Sequence, residues 1–161
     1  APSLQDQRQR FVVSALWDLP IGDADDPGNA TASHNPWVRA FSNIEVAPIF
    51  SVATGMPVNP LTGVDSGLAY VFPFAARPFG LGRNSLRMPL NADLDLRVLR
   101  TVRIWRGKLD LVAESFNLLN HTNVTDLNPS FGSSLDSSSW FGRPIAASAP
   151  RQIQFSLDYE F

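Results

Sequence analysis

The residues best suited to chemistry are few in this sequence and lie far apart. His34 and His121 are the only histidines, there is no cysteine, and neither histidine has a second ligand at the spacing of a zinc motif. Asp23, Asp25 and Asp26 lie together, but their stretch lacks the loop and terminal glutamate of a calcium site. No serine occupies a Gly-x-Ser-x-Gly elbow. The sequence therefore predicts no enzyme, no metal site and no cofactor.

A more suggestive group lies in one long polar segment. Aromatic side chains beside arginines can line a ligand vestibule. The candidates for such a ligand loop are Phe72, Phe74, Arg77, Phe79 and Arg83. The segment from Leu68 to Phe74 can also form a short strand that extends a sheet, and of the two interpretations we favour the strand.

Composition and charge exclude several classes of protein. The net charge of −2 offers no basic field for nucleic acid. No stretch approaches the roughly 20 consecutive apolar residues of a transmembrane helix, and the N-terminus has no signal-peptide core. Because the chain starts without Met, in a polar stretch, we interpret it as a fragment of a longer protein.

The elements that would position any site alternate with a period of two residues. This period predicts β-strands with one apolar and one polar face. The clearest run ends the chain, where polar residues separate the apolar residues Ile153, Phe155, Leu157, Tyr159 and Phe161.

Five long strands are predicted, near residues 8–19, 37–54, 92–104, 108–119 and 151–161. The third and fourth are joined by Trp105, Arg106 and Gly107, which indicates a hairpin. The connections 56–91 and 120–150 are much longer, rich in Pro, Gly, Asn and Ser, and expected to lack regular structure. The predicted fold class is all-β, an antiparallel meander. Since about eight strands are needed to close a barrel, it would be an open, curled segment of a larger transmembrane β-barrel.

Strand length and aromatic placement favour lipid over a soluble core. The runs match the 9–11 residues that a tilted strand needs to cross a bilayer, and aromatic residues lie near their ends. Short and long connections alternate, except that Pro20 to Pro36 is long where a tight turn is expected, and this alternation places the long ones outside the cell. The residues expected to face lipid, besides those of the last strand, are Leu94, Leu96, Val98, Leu109 and Leu111. Those expected to face the lumen are Asp93, Asp95, Arg97, Asp110, Glu114 and Asp158.

Five phrases in order resemble one family along nearly the whole chain. They are Asp6 to Phe11, Ala47 to Pro57, Gly82 to Ser85, Glu114 to Asn123 and Pro150 to Phe155. Together they resemble the C-terminal part of TonB-dependent receptors, especially the Oar-like group with carboxypeptidase-regulatory-like domains.

The resemblance implies a plugged barrel of about 22 strands in the bacterial outer membrane. It implies energy-coupled uptake of an unidentified ligand, with three partners: outer-membrane lipid, the barrel assembly machinery, and an energy-coupling complex contacted through a part of the protein upstream of this chain. The assembly machinery would read the terminal pattern of Phe155, Leu157, Tyr159 and Phe161. Another outer-membrane barrel, either a pore or an enzyme, and a soluble β-sandwich for binding or adhesion remain as alternatives.

Overall fold

The structure, a computed structural model, describes residues 2–19, 37, 41–64, 76–104, 106–132 and 136–161. It divides into two compact units. We call Ala1–Phe11, Val52–Ala92 and His121–Ala149 the loop unit, and Val12–Ser51, Asp93–Asn120 and Pro150–Phe161 the sheet unit. Within the described ranges, no helix combines the length and apolar character needed to cross a membrane.

Ten strands are formed by the described residues. They are β1 (Arg10–Ser14), β2 (Trp17–Asp18), β3 (Ile44–Ala53), β4 (Pro57–Val58), β5 (Leu86–Arg87), β6 (Asn91–Ile104), β7 (Gly107–Phe116), β8 (Val124–Leu127), β9 (Pro144–Ala147) and β10 (Gln152–Glu160). The main sheet has the order β1-β3-β6-β7-β10, with β2 paired to β3. The sheet is open, because among the described residues β1 and β10 each have a neighbour on one side only. The predicted fold class, an all-β antiparallel sheet that does not close, is confirmed.

The strand predicted near 37–54 begins later than expected. Trp37 and Phe41 are helical, and β3 starts only at Ile44. The rings of Trp37 and Phe41 stack with centroids 6.4 Å apart, which is the side-chain pairing that a spacing of four residues permits on a helix. The apolar residues at the start of this run therefore follow a helical rather than a strand period, and the predicted start is wrong.

The register of β10 on β7 explains the alternation in both strands. Residues directly opposite each other in an antiparallel pair point to the same face of the sheet. Leu157 pairs with Leu111, and Tyr159 pairs with Leu109. The intervening Asp158 pairs with Asp110, so the polar positions of the two strands share the other face.

The hairpin between β6 and β7 is tighter than predicted. Ile104 pairs directly with Gly107, so that glycine belongs to the strand and not to the connection. A side chain at Gly107 would collide with its neighbour strand, because its Cβ would lie 2.4 Å from the Glu160 carbonyl oxygen and 2.7 Å from Tyr159 Oη. The glycine is needed for close approach of β10 rather than for the turn.

The long connections are not structureless, contrary to expectation. In the loop unit β4 pairs with β5, and β8 pairs with β9 through an irregular register. Leu61 adds a parallel bridge to Ser130, supported by a hydrogen bond from Phe131 N to Leu61 O of 2.7 Å. Val124 and Leu127 are buried in this unit, as are Pro57, Pro60 and Pro78. The strands here have two to four residues, too short for their alternation to be detected in a Pro- and Gly-rich sequence.

Candidate functional site

The polar face of the sheet unit carries a connected row across three strands. Arg97 of β6 lies opposite Glu114 of β7, which lies opposite Gln154 of β10. Arg97 Nε is 3.7 Å from Glu114 Oε1, and Gln154 Nε2 donates a hydrogen bond to Glu114 Oε2. Glu114 is the more buried residue of the ion pair, because its side chain is 24% exposed and that of Arg97 is 51% exposed. It therefore connects the two neighbouring strands through one carboxylate.

A second row lies further along the same strands. Thr101 Oγ1 donates a hydrogen bond of 2.7 Å to Asp110 Oδ1, and Asp110 lies opposite Asp158. Two carboxylates directly opposite each other repel, and the repulsion is smallest where water screens them. In the next row Arg103 and Glu160 flank Lys108, so two positive charges and one negative charge lie side by side. The pattern suits a hydrated surface of mixed charge.

The remaining predicted lumen residues occupy the same face. Asp95 alternates in phase with Arg97 and accepts a hydrogen bond of 3.0 Å from the Asn117 backbone N–H at its Oδ1. Asp93 is in the same phase of β6. Within the described part of the chain, no group of three His, Cys, Asp or Glu residues is arranged to hold a metal ion. His34 and the group Asp23, Asp25 and Asp26 lie outside the described residues.

The opposite face is apolar and open. Phe155 and Leu157 have exposed fractions of 79% and 73%, and Ile153, Tyr159 and Phe161 are also exposed. The predicted lipid-facing residues of the two neighbouring strands share this face. Leu96, Val98, Leu109 and Leu111 are placed there by the register, and Leu94 follows in phase. Arg100, opposite Leu111, is the one charged side chain in the β6 part of this face.

The asparagine-rich phrase after β7 shapes the end of the sheet. Asn117 and Asn120 have φ values of 49° and 51°, which asparagine tolerates better than most residues. Asn120 Oδ1 accepts a hydrogen bond of 3.2 Å from Arg151 N, just before β10. Leu118 N also bonds to Leu94 O at 2.8 Å. These hydrogen bonds therefore fix where β10 starts.

The candidate ligand loop is only partly described. Arg77, Phe79 and Arg83 are exposed, and Phe79 is 94% exposed. No hydrogen bond, ion pair or ring contact joins these three side chains in the part of the loop that the structure describes. Phe72 and Phe74, together with the strand expected from Leu68 to Phe74, lie outside the described residues.

The loop unit contains long-range contacts that the sequence does not predict. Arg87 Nη2 lies 2.6 Å from Asp6 Oδ2, and Arg87 Nη1 donates hydrogen bonds to the carbonyls of Asp6 and Gly55. Asn84, with φ of 56° and 2% exposure, donates to Pro2 O at 2.6 Å. The partners are about 80 positions apart, so no local pattern could reveal them, although the conformation of Asn84 follows from its type.

Comparison with known families agrees with the two-faced open sheet. Residues 66–154, more than half of the 161-residue chain, match a family model described as an outer membrane beta barrel domain. The chain belongs to this family. Membership places it in the bacterial outer membrane and confirms the location expected from the sequence. No curated protein and no solved structure matches the chain.

Proposed function

We propose that this chain forms the closing strands of an energy-coupled transport barrel that takes up an unidentified ligand. The observation that carries the proposal is the separation of one exposed apolar face from one charged face across β6, β7 and β10. In an outer-membrane barrel the first face meets lipid and the second lines a hydrated lumen. The proposal contains no catalytic step.

The apolar face needs a non-aqueous neighbour. Complete burial of a leucine or phenylalanine side chain stabilises a protein by about 1.5–3 kcal/mol. Apolar residues are exposed at alternate positions of β10 and at the residue after it: Ile153, Phe155, Leu157, Tyr159 and Phe161. A continuous patch of this kind in water promotes aggregation, whereas lipid removes the penalty. Lipid contact also explains why, apart from Arg100, the charged side chains of β6, β7 and β10 lie on the other face.

The open edges favour a larger barrel. β1 and β10 each offer an unpaired row of backbone groups, and such groups are not tolerated within a bilayer. Further strands would pair with both edges. A barrel of the receptor class has about 22 strands, so this chain would supply the last of them.

Energy coupling is supported by the resemblance to TonB-dependent receptors. Several of its phrases occupy contact points: Asp6 pairs with Arg87, Asn84 is buried, and Asn117 and Asn120 end β7. The partners in this proposal are outer-membrane lipid, the assembly machinery and an energy-coupling complex reached through another part of the protein.

The face assignment is tested by paired substitutions in the full-length protein. Leu157→Arg places a charge on the proposed lipid face and is expected to cost roughly 2–4 kcal/mol near the bilayer midplane. Ser156→Arg adds the same charge to the opposite face and should be tolerated. The measurement is the midpoint of barrel unfolding in detergent, together with the amount in outer membranes. Equal tolerance of both variants would sink the assignment.

Transport is tested separately, by comparing the solutes left in spent medium. Cells lacking this gene and cells lacking the energy-coupling complex should leave the same solute unconsumed. A passive pore predicts that the solute remains only when the gene is removed. That second outcome would replace uptake by passive diffusion while leaving the barrel intact.

A further inference from the structure

A pair of aromatic side chains just before β3 is turned away from the protein. Trp37 and Phe41 are helical and stack on each other, yet their exposed fractions are 73% and 49%. Ser42, the residue that follows them, is only 3% exposed. A segment that meets water buries its aromatic side chains and exposes its serines. The arrangement here is the reverse, which is expected beside a non-aqueous neighbour.

The position of this pair is fixed by the sheet. Asn43 has a φ of 55°, a left-handed conformation that ends many helices. Its carbonyl accepts a hydrogen bond of 3.2 Å from Thr101 N in β6. On the other side of β3, Leu19 N donates a hydrogen bond of 2.9 Å to Ile44 O. The exposure of Phe41 therefore does not arise from a free chain end, because paired backbone follows it directly.

The same contacts place the pair at the hairpin end of the sheet. Thr101 lies near the end of β6, where Ile104 pairs with Gly107 across the tight hairpin. Glu160, the last residue of β10, pairs with Lys108 at this end. In outer-membrane barrels the short connections lie on the periplasmic side. Trp37 and Phe41 are thus at the periplasmic rim.

Other exposed aromatic residues mark this rim on the strands themselves. Trp17 is exposed and pairs with Val46 on the apolar side of β2 and β3. Tyr159 and Phe161 stack at the end of β10 and are also exposed. Tryptophan and tyrosine collect at the level of the lipid headgroups, and helices with Trp and Phe on one side lie in the same layer.

We propose that Trp37 and Phe41 insert into the headgroup layer of the periplasmic leaflet and anchor the connection between β2 and β3 to phospholipid. The partner is a lipid surface rather than a second protein, because the aromatic residues of the neighbouring strands face lipid at the same rim. Contact with lipid removes the exposed rings from water. The proposal rests on the assignment of the apolar face to lipid, and it adds a helical anchor that the strands of a barrel do not require.

The test is spin labelling of the full-length protein in vesicles of phosphatidylethanolamine and phosphatidylglycerol. This chain has no cysteine, so Trp37→Cys and Phe41→Cys each supply one attachment point in it, with any cysteine elsewhere in the protein replaced by serine. Oxygen, which partitions into lipid, should relax both labels several-fold more than a water-soluble nickel chelate does. Leu157→Cys is the lipid reference. Arg106→Cys, in the hairpin at the same end, is the water control and should favour the nickel chelate.

Nickel accessibility at both positions equal to that of Arg106→Cys would overturn the anchor, because the pair would then lie in water. Protection from both reagents would also overturn it, since a protein would then cover the rings. Either result is separable from the proposed function. If the label at Leu157→Cys remains accessible to oxygen, the lipid-facing assignment stands and only the anchor is wrong. If that label is accessible to nickel as well, both are wrong.

Discussion

The side chain of Asn123 forms a pair of hydrogen bonds with the start of β6, as the backbone of a neighbouring strand would. Its Oδ1 accepts a hydrogen bond of 2.8 Å from Ala92 N, and its Nδ2 donates one of 2.9 Å to Ala92 O. The residue is 7% exposed, and Ser148 N bonds to its carbonyl at 2.8 Å. One amide side chain thus joins the start of β6 to the long connection between β7 and β10.

Asn123→Ala is expected to destabilise this end of β6 by about 1–3 kcal/mol, because both polar groups of a partly buried Ala92 lose their partner. Hydrogen exchange at the Ala92 amide measures the loss directly. Asn123→Asp keeps the acceptor and removes the donor, so its Ala92 N–H should stay better protected than in the alanine variant. Unchanged exchange in Asn123→Ala would show that the side chain contributes little.

At the scale of elements, the pairing of β10 on β7 depends on a small residue at the first position of β7. Gly107 leaves room for the Tyr159 ring, and Tyr159 stacks on Phe161 with centroids 6.3 Å apart. On the other face, Gln154 bonds to Glu114. Contacts on both faces therefore hold β10 against β7. Tyr159 packs over Gly107 on one face, and Gln154 bonds to Glu114 on the other.

Gly107→Ala should displace the end of β10, because the new Cβ would lie 2.4 Å from a backbone oxygen that cannot rotate away. A loss of about 1–3 kcal/mol is expected from such overpacking. The measurement is the temperature at which the folded barrel converts to the unfolded band in detergent gels. Gly82→Ala is the control, since its Cβ would have only Ser85 Cβ nearby at 4.0 Å. Equal behaviour of the two variants would contradict a packing role for Gly107.

At the scale of the whole molecule, the end of the chain combines high exposure with few contacts. Phe161 is 99% exposed, and β10 pairs with β7 alone. Phe161 lies beyond Glu160, the last paired residue of β10, so it adds no backbone pairing to the sheet. We propose that Phe161 belongs to the aromatic pattern that the assembly machinery reads.

Deletion of Phe161 from the full-length protein should therefore slow assembly without lowering the stability of barrels that do form. Pulse-chase appearance of folded protein in outer membranes should fall several-fold, while the unfolding midpoint of the purified barrel stays unchanged. Phe161→Trp should restore assembly, and Trp140→Ala, which removes another exposed aromatic, should leave it unaffected. A fall in the midpoint with normal assembly kinetics would assign Phe161 a structural role instead.

Strand identity and facing were largely predictable. The alternation in β6, β7 and β10 is long enough to identify the apolar face. The register places Arg97, Asp110, Glu114 and Asp158 on the other face, and Asp93 and Asp95 follow in the same phase. The start of β3 was not predictable, because Trp37 and Phe41 fit a helical spacing as well as a strand. The short strands of the loop unit were missed because two to four residues carry no detectable period.

The sequence by itself determined which residues alternate, and hence a strand with an apolar side and a charged side, because a period of two is a local property of the chain. Only the tertiary structure decided which strands are neighbours, that Glu114 connects Arg97 with Gln154, and that Asp6 meets Arg87 across 81 positions. Register and long-range contacts depend on closing large loops. The free energy of such a contact comes from two distant segments together, so neither segment by itself predicts it.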